Sequence, residues 1–220
     1  MMMQRPSISG VYAITPDCGD DDLLARRVEA ALRGGVHVLQ YRNKTVSGER
    51  RARQAKMLLD LSRRYGALFI VNDDAELARQ VNADGVHLGR DDGSFDDARR
   101  RLGAGKIIGV SCYNELARAR SAATRGADYV AFGSVFVSTI KPDAVRAPLA
   151  LFEQAKREVS VPVVAIGGIK LANAPAIIAA GADAVAVISA LFAQSSIEEA
   201  ARALCGLFDH AHDLRANAGR

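Results

Sequence analysis

Apolar and polar positions follow one repeating phrase along this chain. A short apolar run rich in β-branched residues gives way to polar positions in helical spacing, then to a turn holding glycine or asparagine, then to the next apolar run. The runs fall at Val11 to Thr15, Val36 to Arg42, Leu68 to Asp73, Gly85 to Gly89, Ile107 to Ser111, Tyr129 to Phe136, Val161 to Ile166 and Ala184 to Ser189. They predict eight strands alternating with helices, the helix between the third and fourth covering Ala75 to Val81. The turn phrase recurs as Asn82-Ala83-Asp84-Gly85-Val86, Gly126-Ala127-Asp128-Tyr129-Val130 and Gly181-Ala182-Asp183-Ala184-Val185, which marks repeated strand–helix units. Eight parallel strands with helical crossovers close into an α/β fold, the (β/α)8 TIM barrel, whose active site lies at the C-terminal strand ends. An open doubly wound sheet would want a glycine-rich turn after the first strand, and Ile14-Thr15-Pro16-Asp17 has none.

The strand ends therefore carry the candidate chemistry. The third strand stops at Asn72, Asp73 and Asp74, and the fourth breaks at Arg90, Asp91 and Asp92. Parallel neighbours bring both clusters to one edge, so Asp73 and Asp92 can face one site. Carboxylates so gathered repel unless a cation sits between them, and hard oxygen ligands suit Mg2+. Asp74 and Asp91 read as well as helix caps. The second strand sets Gln40, Arg42 and Lys44 at alternate positions, two cations suited to a diphosphate. The fifth ends at Ser111. After the sixth, Gly133 to Pro142 includes Ser134, Ser138, Thr139 and Lys141, and the seventh and eighth end in Gly167-Gly168 and Ile188-Ser189, the usual barrel site for a phosphate. His37 and His87 are expected between barrel and helices, out of phase with the inward positions. Cys112, without a basic neighbour in sequence, is not expected to be a reactive thiolate.

With 220 residues, 49% of them hydrophobic, the chain suits one sizeable core. It is expected to form a single domain over 1–220, its ordered core about 8–208 and its polar C-terminal tail 209–220. The 29 basic and 25 acidic residues give +4, much of it from arginines interleaved on helix faces, and aromatics are only 5%. Such a surface offers neither a basic stripe nor stacking platforms, so no nucleic-acid partner is expected. Cys18, Cys112 and Cys205 are widely spaced, without metal-binding pattern, and suit a cytoplasmic chain with reduced thiols. Met1 to Ser7 lacks an apolar signal core and no run is long enough to span a bilayer, so no membrane partner is expected. A homo-oligomer is left open.

Tyr12-Ala13-Ile14-Thr15-Pro16, Gln40-Tyr41-Arg42-Asn43-Lys44, Val71-Asn72-Asp73-Asp74, Gly85-Val86-His87-Leu88-Gly89, Gly109-Val110-Ser111, Lys141, Ala165-Ile166-Gly167-Gly168-Ile169 and Val187-Ile188-Ser189 together resemble the thiamine-phosphate synthase family. The likeness spans about Val11 to Phe208. It implies a (β/α)8 barrel that joins a hydroxymethylpyrimidine diphosphate to a thiazole phosphate and releases diphosphate. Carried over by motif, Gln40, Tyr41, Arg42, Asn43, Lys44, Asn72, Ser111 and Lys141 would bind the pyrimidine diphosphate. Arg42, Lys44, Ser111 and Lys141 would act in catalysis, and Asp73 and Asp92 would hold Mg2+ as cofactor. Ser138, Thr139, Ile140, Gly168, Ile188 and Ser189 would receive the thiazole phosphate. The chain departs from the family at Val137, where proline is usual, at Ile140, where threonine is usual, and at Arg90, where glutamine is common. Two alternatives stay open: a thiazole tautomerase of the same superfamily, against which Asn72, Asp73, Asp92 and Lys141 argue together, and a non-catalytic barrel that binds a thiamine precursor. The loop from Val137 to Arg146 is the expected closing segment.

Overall fold

The computed structural model describes residues 7–137 and 145–218, from 210 onward as backbone only. Its strands are β1 (Gly10–Ile14), β2 (Val38–Tyr41), β3 (Leu68–Asn72), β4 (Gly85–Leu88), β5 (Ile107–Tyr113), β6 (Tyr129–Phe132), β7 (Val163–Ile166) and β8 (Ala184–Val187). They pair in chain order, every pair parallel, and β8 returns to β1 to close the barrel. The helices are α1 (Asp21–Arg33), α2 (Gly48–Arg64), α3 (Ala75–Val81), α4 (Phe95–Leu102), α5 (Leu116–Thr124), α6 (Leu149–Glu158), α7 (Ala174–Ala179), α8 (Ser189–Phe192) and α9 (Ile197–Ala218). Among the described residues no helix is long and apolar enough to cross a membrane.

Two apolar clusters follow from the twofold alternation of strand side chains. One fills the barrel with Tyr12, Ile14, Val38, Ile70, Ile107, Tyr129, Ala131, Val164, Ala184 and Ala186. The other, larger one packs strands against helices, through residues such as Leu39, Tyr41, Val71, Val86, Leu88, Val130 and Phe132. The helix starts are built locally: Asp20 accepts from Leu23 N at the head of α1, and Asp74 accepts from Leu77 N at the head of α3, both at 2.8 Å. Asp91 caps nothing, because Ser94 occupies the N-cap of α4.

The recurring Ala-Asp turn has a physical purpose. Asp84 N donates to Phe69 O at 2.9 Å while Asp84 Oδ2 accepts from Phe69 N at 2.8 Å. Asp128 and Ile108 repeat this pair of bonds, as do Asp183 and Val163. Each aspartate thus clasps the start of the preceding strand and satisfies a backbone N–H that the barrel ladder leaves over.

Three expectations are corrected. His87 lies inside the barrel, because Val86 and Leu88 take the helix-facing positions of β4. His37 precedes β2 and is exposed. The sixth strand ends at Phe132 although its apolar run goes on to Phe136. Beyond it Ser134 N donates to Val145 O and Ala147 N to Ser134 O, which turns the chain away from the ladder.

Candidate active site

The C-terminal mouth of the barrel holds a cavity of about 770 Å3 whose walls include Arg42, Lys44, Arg51, Asn72, Asp73 and Asp92. Asp73 follows β3 directly, its backbone at φ 66°, a left-handed conformation that aspartate tolerates better than most residues. Its N–H donates to His87 O at 2.8 Å, so the end of β4 fixes where the carboxyl emerges. Asp92 folds back on the same strand end, with Oδ2 accepting from Gly89 N at 2.8 Å. The two carboxyls line the same cavity wall. Burial first, and Asp92 second, push the Asp73 carboxyl up to about 6. Two carboxyls brought this close, one raised by burial and by the other, fit a divalent cation, whose charge removes the repulsion. Among the described residues no group of three His, Cys, Asp or Glu side chains stands together, so this pair would leave further positions to water and substrate oxygens.

Beside the acids stands the end of β2, the strand paired with β3. Thr15 Oγ1 donates to Arg42 O at 2.7 Å and accepts from Arg42 N at 2.9 Å, which ties this strand end to β1. Asp17 accepts from Arg42 Nη1 at 3.3 Å and from Lys44 N at 2.7 Å. Asp17 therefore shapes the cationic loop, a role its position after a strand and a proline did not reveal. Arg51 from α2 adds a third cation to the wall. It pairs with Asp74 at 3.4 Å, and its Nε is buried without a hydrogen-bond partner among the described residues.

Two residues expected to bind substrate make their side-chain hydrogen bonds within the protein, though Asn43 also lines the cavity. Tyr41 faces α2, buried, with its hydroxyl donating to Gln54 Oε1 at 2.9 Å. Asn43 Nδ2 donates to Cys18 O and Gln54 Oε1, and its Oδ1 accepts from Thr45 N and Thr45 Oγ1. Both side chains brace the loop, Tyr41 from the helix side, because alternation along β2 that sends Gln40 inward sends Tyr41 outward.

Gln40 and Ser111 lie on the floor of the mouth and are linked through residues not singled out as site residues. Gln40 Nε2 donates to Tyr12 at 2.9 Å, the Tyr12 and Tyr129 hydroxyls are 2.7 Å apart, Tyr129 lies 3.0 Å from His87 Nδ1, and His87 Nε2 lies 2.8 Å from Ser111 Oγ. Burial holds the imidazole neutral, its pKa lowered to about 4. Gly109 is the condition for this floor: a Cβ there would run into the Tyr129 ring.

Across the mouth, Gly168 has φ 63° and a Cβ on it would meet the backbone of Phe136 at 2.9 Å, so the loops after β6 and β7 touch only because it is glycine. Phe136 N donates to Gly167 O at 3.0 Å across that contact. Ile188 joins β8 to α8, whose first residue is Ser189. Ser138, Thr139, Ile140 and Lys141, with most of the expected closing loop, lie outside the described residues. Of the departures, Val137 is 77% exposed, and Arg90 turns from the acids to pair with Glu115 and lie over the Tyr113 ring. Cys112 is buried and its thiol is pushed up to about 12, so it is inert.

The family model described as thiamine monophosphate synthase matches residues 11–191. The thiamine-phosphate synthase of Methylobacillus flagellatus is 58% identical over 93% of this chain and 97% of its own. That of Chromobacterium violaceum is 54% identical over 92% and 98%. Among solved structures, the thiamine phosphate pyrophosphorylase from Pyrococcus furiosus superposes with TM-score 0.82 at 35% identity, covering 91% of this chain and 96% of that one. With a closed barrel whose mouth sets paired acids against arginine and lysine, the chain belongs to the thiamine monophosphate synthase family.

Proposed function

We infer that this enzyme of thiamine biosynthesis joins 4-amino-2-methyl-5-hydroxymethylpyrimidine diphosphate to 4-methyl-5-(2-phosphoethyl)thiazole and releases diphosphate. The observation that carries the reading is the gathering, in one cavity, of the Asp73–Asp92 pair with Arg42 and Lys44. In this reading Asp73 and Asp92 would hold Mg2+, whose charge when bound offsets that gathering on the departing diphosphate. The remaining work belongs to the chain. Arg42, held by Asp17, offers a fork to phosphate oxygens, and Lys44 a mobile point charge. Gln40 and Asn72 orient the pyrimidine end, Ser111 meets the diphosphate, and Lys141 adds a cation from the loop after β6. Gly168, Ile188, Ser189 and the segment Ser138 to Ile140 receive the thiazole phosphate.

No nucleophilic side chain is required. The C–O bond to diphosphate breaks first, both electrons leaving with the diphosphate, and the thiazole nitrogen captures the pyrimidine methylene cation. The chain's contribution is electrostatic: positive groups fixed in advance where negative charge develops cost no reorganisation as the bond breaks. The reaction is expected in the cytoplasm.

Replacement of Lys44 or Lys141 by alanine tests this assignment through diphosphate release with both substrates supplied. Each change is expected to lower kcat by about 100-fold or more while the melting temperature stays put. Unaltered rates in both would remove the cationic side of the site.

A further inference from the structure

The buried residues beneath the mouth form one continuous polar line across the barrel. Tyr12, Gln40, His87 and Tyr129 are each 9% exposed or less. Their contacts run from Gln40 to Tyr12 at 2.9 Å, to Tyr129 at 2.7 Å, to His87 Nδ1 at 3.0 Å, and from His87 Nε2 to Ser111 at 2.8 Å. The rings are also held by packing, with Tyr12 edge-on to Tyr129 and His87 stacked on it. Five strands supply the line, so its geometry belongs to the barrel and not to a loop.

Counting protons gives the line a direction. A phenol has one hydrogen to donate, and a neutral imidazole donates at one nitrogen and accepts at the other. Gln40 donates its amide hydrogen to Tyr12, so the Tyr12 hydrogen goes to its other contact, Tyr129. Tyr129, already accepting, sends its own hydrogen to His87 Nδ1. The imidazole then carries its proton on Nε2 and donates to Ser111 Oγ. That leaves the Ser111 hydrogen to point out of the line, toward the mouth.

We propose that Tyr12, Tyr129 and His87 are positioning residues that lock the Ser111 hydroxyl as a hydrogen-bond donor to the departing diphosphate and couple its orientation to that of the Gln40 amide. This rests on the reading of Gln40 and Ser111 as groups that meet the pyrimidine diphosphate. The proton stays on Ser111; only the direction of its hydrogen bond is set. A donor fixed toward an oxygen that gains charge as the bond breaks acts more on the transition state than on the bound substrate. His87 acts through Ser111 and needs no contact with substrate.

The chain has four histidines. Replacing His37, His210 and His212 with asparagine leaves His87 as the sole imidazole, and nitrogen-15 NMR of its ring reads the tautomer in the free protein. The expected spectrum is that of a neutral ring protonated at Nε2; a ring protonated at Nδ1, or a charged ring at neutral pH, overturns the proposal. In the same background Tyr129→Phe keeps the ring's shape and removes its hydrogen from the line. The expected result is a mixture of both tautomers and a fall in kcat of about tenfold, with KM for the pyrimidine diphosphate moving less than about twofold. Retention of the pure Nε2–H ring together with the parental kcat would overturn it. Should the parent protein make no thiamine phosphate, the functional reading fails, while the ring spectrum still decides the direction of the line.

Discussion

Asp73 joins local backbone, electrostatics and chemistry in one residue. Its carboxyl is pushed from an ordinary 3.8 up to about 6, by burial and then by Asp92. Through the window between about 4 and about 6 the folded protein holds a proton that the unfolded chain has released, so the metal-free protein loses stability as pH rises across it. Asp73→Asn keeps the left-handed backbone and removes this titration. The melting temperature of metal-free wild-type protein is therefore expected to fall, relative to Asp73→Asn, as pH climbs from about 4 to about 6, and Mg2+ at neutral pH to raise the wild type more than the variant. Parallel pH profiles would mean that Asp73 titrates ordinarily. This acid pair was legible because two successive apolar runs each end in aspartate. The floor was not. In β4 the two phases read Gly85-His87-Gly89 and Val86-Leu88, and a polar residue between glycines looked like the outer face. Barrels reverse that habit: the strand–helix interface takes the continuous apolar set, and the inside near the mouth is where polar groups can meet a substrate.

At the scale of elements, the eight strands were readable because each is buried on both faces and reads as an apolar run, and the helices between them because their apolar positions recur at helical spacing. Boundaries blurred where apolar character outlived the ladder, as after β6, where Val135 and Phe136 serve a loop packed on Gly167 and Gly168. The Ala-Asp turns were seen as a repeat, yet spacing alone could not show that their carboxylates clasp the preceding strand. Removing one clasp should be felt. Asp84→Ala leaves Phe69 N without its acceptor at the barrel's lower rim and is expected to cost about 1–3 kcal/mol in urea unfolding, with activity at saturating substrate little changed. A cost under about 0.5 kcal/mol would mean that water takes over the bond.

For the whole molecule, barrel closure turns scattered chain positions into one site. The ends of β2, β3 and β4 contribute Arg42 and Lys44, Asp73 and Asp92 to one cavity, while β1, β2, β4, β5 and β6 supply the hydrogen-bonded line inside the barrel. Tyr41 shows the complement: a member of the same sequence motif, it supports the site from the helix side, since a motif does not say which face each member takes. We propose that the acid pair and the neighbouring cations make thiamine phosphate with a divalent cation. It is tested most directly by supplying the purified protein with both substrates, with Mg2+ and after chelation. Thiamine phosphate and diphosphate are expected in equal amounts with Mg2+, and neither without it. Saturable binding of either substrate with no product in the presence of Mg2+ would contradict it.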